Sequence, residues 1–156
     1  MSKAAELANL IGNINAGGGG VNRNCIINGA MNVAQRATSS TGLGASSGYF
    51  VCDRWRLGTG IDGRLTMSQD SSAPSGFANS LKLDFNTADT SIASDSTVFL
   101  EYRKEGQNLL GFAKGTSDAK PIAVSFYAKA NASATYVVEL FDSDNSRQVS
   151  KSFTVG

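Results

Sequence analysis

The sequence contains no histidine. That removes both the commonest general base near neutral pH and the commonest metal-ligating side chain. Cysteine is almost as scarce: Cys25 and Cys52 are the two present, each inside a short apolar run, "NCIING" and "FVCDRW". Two cysteines do not make a disulfide framework. They read as small buried hydrophobes, with a bridge between them as the alternative. Charged residues make up 17% of the chain, below the usual ~25%, and proline occurs twice. Fourteen Lys and Arg stand against thirteen Asp and Glu, and the basic side chains are scattered, so no electrostatic footprint for nucleic acid is visible. No run approaches the ~20 apolar residues that cross a bilayer as a helix, so no membrane insertion is expected. The opening "MSKAAELANLIGNI" lacks the basic start, long apolar centre and cleavage site of a secretory signal. Synthesis in a cytoplasm, without export by the usual route, is the expectation.

What fills the gap is glycine (17 of 156 residues) together with Ser, Thr and Asn. A chain of this length fits one domain plus an appendage. Such a domain can bury roughly 68–70% of its unfolded surface, enough for a core without staples. The weakly charged, turn-rich mixture suits an all-β protein.

Residues 1–14 read as a short amphipathic helix. Ser2 is the N-cap, Glu6 sits early where the helix dipole favours negative charge, and Gly12 and Asn13 weaken the far end. Leu7, Leu10, Ile11 and Ile14 fall at spacings of three and four and share one face. A helix this short is marginal alone in water, so the stripe must dock, either on its own domain or on a partner chain. The Gly-rich linker 15–22, "NAGGGGVN", favours the partner, because four glycines carry the largest backbone entropy and nothing to pack.

Beyond it, residues 23–156 read as a single antiparallel β-sandwich domain, jelly-roll-like and preceded by the short helix. In "SLKLDFN", Leu81, Leu83 and Phe85 point one way and Lys82 and Asp84 the other. "PIAVSFYAKA" alternates Ile122, Val124 and Phe126 against Ala123, Ser125 and Tyr127. "RLTMSQ", "TVFLEYR", "TYVVELFD" and "RQVSKSFTV" are further strands, the last two joined by the turn "DSDNS". Cys25–Ile27 reads as a first strand and Asn28-Gly29 as the turn after it, with Asn22 and Asn24 capping backbone groups. The last strand, ending at Val155, would expose an apolar edge, which leads to the expectation that the natural chain continues past Gly156, with cover by neighbouring subunits as the alternative.

Chemistry finds little purchase. "GGGG" has no following GK[ST] and is no phosphate loop, and "GLGASSG" departs from the dinucleotide fingerprint. "DSDN" lacks the later bidentate Glu of a calcium loop. Glycoside hydrolysis needs two carboxyl groups roughly 5–10 Å apart, and nothing pairs Glu101, Glu105 or Glu139. Hence no catalytic residues, no metal and no cofactor are expected, and the chain is read as not an enzyme.

Five blocks carry a resemblance: "NRNCIINGAMNVAQRATSSTG" (22–42), "GYFVCDRWRLG" (48–58), "RKEGQNL" (103–109), "GTSDAKPIAVSFYAKA" (115–130) and "TYVVELFDSDNSRQVSKSFTV" (135–155). In this order and spacing the chain resembles tail-fibre and related virion proteins of marine bacteriophages, cyanophage-like ones especially. The resemblance implies the start of a carbohydrate-binding-like jelly roll. It also implies a trimer, with the N-terminal segment attached to the tail through an adaptor or nozzle protein. The location would be the virion tail, after assembly in the host cytoplasm, and the role host-surface attachment. A glycan-binding module, or a fibre decorating the capsid, are the alternatives. Within the domain, Trp55 is either a core filler, with Asp53 and its neighbouring arginines satisfying polar groups, or a platform for a sugar ring of the host surface shared with Tyr49, Phe50 and Tyr127.

Overall fold

The computed structural model describes residues 24–155. The expected anchor (Leu7, Leu10, Ile11, Ile14) and the glycine linker lie outside the described residues. All-β is the right class: the described residues hold seven strands in antiparallel sheets and one short 3-10 helix, Gly106–Phe112. The strands are β1 (Ser39–Leu43), β2 (Trp55–Gly60), β3 (Arg64–Asp70), β4 (Ser80–Thr87), β5 (Thr97–Tyr102), β6 (Ala134–Asp142) and β7 (Arg147–Val155). The chain divides into two compact units, one up to Pro121 and one from Ile122.

In the first unit β1, β3 and β4 make one sheet and β2 and β5 another. The β3–β4 pair is nested in sequence inside the β2–β5 pair. The cause is periodicity. Leu65 and Met67 of β3 lie opposite Phe85 and Leu83 of β4, so the apolar residues of both strands share one face. On β2, Leu57 lies opposite Leu100 and Trp55 opposite Tyr102. Leu57, Leu65 and Met67 join Val51 and Cys52 in the fully buried core, with Leu43, Trp55, Leu81, Leu83 and Val98 packed against them. Burial pushes the Cys52 thiol up from its ordinary pKa, and the Asp53 carboxylate adds to the effect. Cys52 makes no disulfide and packs in the core. Where the sheets turn, Gly44 comes so close to the next loop that a Cβ there would stand 2.2 Å from the Gly63 carbonyl oxygen. Only glycine fits.

The second unit is the β6–β7 hairpin and the extended segment before it. Its register puts Tyr136 opposite Phe153, Val138 opposite Lys151 and Leu140 opposite Val149 on one face. Phe126 packs edge-on against Phe153 at 5.1 Å, and Tyr136 stacks on the same ring at 5.9 Å. The turn is built by Asp142, whose carboxylate accepts from the Asp144 N–H and the Asn145 amide, while Ser146 takes a left-handed φ of 49°. Those hydrogen bonds, the Asn145 side chain first, hold the Asp142 carboxyl below its usual pKa. "DSDNS" is thus a hairpin turn.

Two expected strands do not form. Cys25–Ile27 stays irregular because its amides find side chains: Ile26 N–H donates to Asn24 Oδ1 at 2.9 Å and Ile27 N–H to the Tyr102 hydroxyl at 3.1 Å. Residues 122–129 alternate in sequence but acquire no ladder, since alternation supplies faces and only a neighbouring strand supplies hydrogen bonds. Conversely, "SSTGL" and "WRLGTG" are strands without a strand-like pattern of their own.

Candidate functional site

The two blocks richest in Asn, Arg and aromatic residues fold onto each other. Asn28 is the joint. Its φ of 57° lies in the left-handed region that Asn tolerates better than most side chains. Its Nδ2 donates to the carbonyls of Val33 and Asp53, both at 2.9 Å, and its Oδ1 accepts the Val33 N–H at 2.9 Å. Its own carbonyl accepts Met31 N–H at 3.1 Å and the Trp55 indole N–H at 3.0 Å. The Asp53 N–H returns to Val33 O at 2.9 Å, and the Gln69 amide of β3 donates to Met31 O. The "NGAM" turn is therefore riveted to the "CDRW" corner by polar side chains.

This places the expected platform residues. Trp55 is half-buried, its ring 5.5 Å from that of Tyr102 and tilted by 56°. Its N–H is spent on Asn28, so the indole serves the interior. Tyr49, 38% exposed, lies under the Arg36 guanidinium at 5.8 Å from its ring centre, and the bridge of its neighbour Gly48 to Leu57 sets it beside Arg56, on the face opposite Trp55. Tyr127 lies in the second unit. Trp55 and Tyr49 thus belong to opposite faces and do not form one platform. Asp53 pairs with Arg36, at 3.5 Å, rather than with the arginines flanking Trp55.

The outward face of β2–β5 carries a different constellation. Gly48 bridges Leu57 in antiparallel fashion, so continuing the register sets Tyr49 beside Arg56, and Arg56 lies opposite Glu101. Arg56 hydrogen-bonds Glu101 Oε1, and Arg103 binds the same oxygen through Nη2 at 2.9 Å and Nε at 3.1 Å. Partial burial pushes the Glu101 carboxyl up, but the hydrogen bonds from Arg56 and Arg103 outweigh it and hold its pKa below the usual range. One rung along, Phe99 lies opposite Gly58. A Cβ on Gly58 would stand 2.1, 2.2 and 2.6 Å from three contiguous ring atoms of Phe99. A point that near all three lies over the ring's face rather than beyond its rim. The ring therefore lies flat on the glycine, and Phe99 is 46% exposed.

The sequence does not single out Phe99, Glu101 and Arg103 as one site, although "TVFLEYR" places them at alternating positions. Their common face was legible, but the glycine that lays Phe99 flat lies on another strand. Among the described residues no group of three or more His, Cys, Asp or Glu side chains could hold a metal, and no helix is long and apolar enough to cross a membrane. No protein-family model, curated protein or solved structure matches the chain.

Proposed function

We propose that the chain is a structural virion protein without catalytic activity. It would be a homotrimeric tail-fibre subunit, fixed to the particle through residues 1–14 and presenting a jelly-roll-like domain for host-surface attachment. The observation that carries this reading is the uncovered apolar face of the β6–β7 hairpin, where Tyr136 is 43%, Leu140 46% and Val149 65% exposed. A two-stranded hairpin is at best marginal in water, so this face calls for a cover. Sister chains of a fibre supply one. The nested pairing of β3–β4 within β2–β5, on two sheets sharing a core, favours a jelly roll. Within the blocks that carry the resemblance to phage fibres, Asn28 of "INGAM" and Asp53 and Trp55 of "CDRW" rivet this unit together.

Light scattering of the full chain in solution tests the proposal. It should report a trimer, and Leu140→Lys or Val149→Glu should shift it to monomer while the first unit stays folded. A chain that stays monomeric at every concentration would overturn the reading.

A further inference from the structure

We propose that the outward face of the β2–β5 sheet is a binding site for an anionic saccharide, with Phe99 as the stacking surface and the Arg36 and Arg103 guanidiniums as the anion contacts. This gives a ligand to the attachment role proposed above and rests on it only for the biological use of such a face.

Two features converge there. The first is apolar and flat. Phe99 lies against the Gly58 backbone with one ring face down, which leaves the other toward solvent. A sugar ring has one face of C–H groups that packs on such a surface, and an aromatic ring held by its neighbours loses little entropy on binding. The second is charge. Arg36, Arg56 and Arg103 pair with Asp53 and Glu101, three guanidiniums to two carboxylates, in a chain otherwise close to neutral. Arg36 and Arg103 keep 57% and 64% of their side chains exposed, whereas Arg56, Glu101 and Asp53 are largely covered. The covered members hold the exposed ones in place. Arg103 is clamped by Glu101 through two of its nitrogens, and Arg36 lies over the Tyr49 ring. Each retains donors for a carboxylate or sulfate, which the planar fork binds in bidentate fashion. A neutral sugar would leave the excess charge unused. An apolar protein surface would strand it.

Titration calorimetry on the full chain should use polygalacturonate, dextran sulfate and unmodified dextran. Polygalacturonate carries carboxylates and dextran sulfate carries sulfates, so the first two arms identify which anion is preferred. Binding to at least one, and none to unmodified dextran, is expected. Arg103→Ala and Phe99→Ala should each weaken the affinity about tenfold, and added salt should weaken it further. Phe99→Trp keeps a flat ring, should retain the affinity, and should change its fluorescence when the saccharide binds. Equal binding of unmodified dextran, no binding of either polyanion, or a folded Phe99→Ala protein with undiminished affinity would each overturn the proposal. If Phe99→Ala fails to fold, unaltered fluorescence of the Phe99→Trp protein on saturation would do so. Light scattering of the same samples separates the two readings: a trimer that ignores both polyanions loses the site alone, and a monomer that binds one loses the fibre alone.

Discussion

At the scale of single residues, Asn28 ties two segments of the first unit together. It combines a left-handed backbone with three side-chain hydrogen bonds that no other residue type reproduces. Each such bond contributes about 0.5–1.5 kcal/mol, and a buried partner left unsatisfied costs more. Asn28→Ala is therefore expected to destabilise the fold by about 2–4 kcal/mol in urea titrations. Asn28→Asp should be nearly as damaging, because a carboxylate accepts from Val33 but cannot donate to the Val33 and Asp53 carbonyls. Glu101 gives a pH-dependent counterpart. Its folded pKa lies below the unfolded value of about 4.3, so its stabilisation is present above that value and is lost as pH falls through the folded one. Acid unfolding curves should show a loss of about 1 kcal/mol or less in that window, and Glu101→Gln should remove this component.

At the scale of elements, the strands divide by what made them legible. β3, β4 and β7 alternate apolar and polar residues, and the apolar faces of β3 and β4 coincide, whereas β6 is apolar on both faces, with Tyr136 and Leu140 on one and Val137 and Phe141 on the other. β1 and β2 were not visible, since Ser39–Leu43 has one large apolar side chain and Trp55–Gly60 has two glycines. They are strands because a neighbour offers a ladder. β2 also needs Phe99 to roof Gly58, as an aromatic neighbour does for a glycine in a sheet. Gly58→Ala should then cost about 1–3 kcal/mol through overpacking. In Phe99→Ala the same substitution should cost much less, and a double-mutant cycle measured by chemical denaturation gives the coupling. Equal costs in both backgrounds would mean that the ring does not press on the glycine.

At the scale of the whole molecule, the described residues bury five side chains completely, all in the first unit. The second unit leaves Tyr136, Val137, Leu140, Phe141 and Val149 open to solvent. A fold that leaves so much apolar surface gains stability from association, and binding to the native state alone makes stability concentration-dependent. The midpoint of thermal unfolding should rise with protein concentration, and Val149→Glu should flatten that dependence. A concentration-independent midpoint in the native chain would speak for a self-sufficient monomer.

By itself the sequence determined the all-β class, the β6–β7 hairpin with its Asp142 turn, and the common face of Leu81 and Leu83, because each rests on local periodicity or local turn chemistry. The tertiary structure alone decided that Trp55 turns inward to Asn28, that Arg36 takes Asp53, and that Arg56 and Gly58 of β2 come to lie beside Glu101 and Phe99. Those outcomes depend on which strands pair and in what register. Pairing energy belongs to two distant segments at once, so neither segment carries it alone.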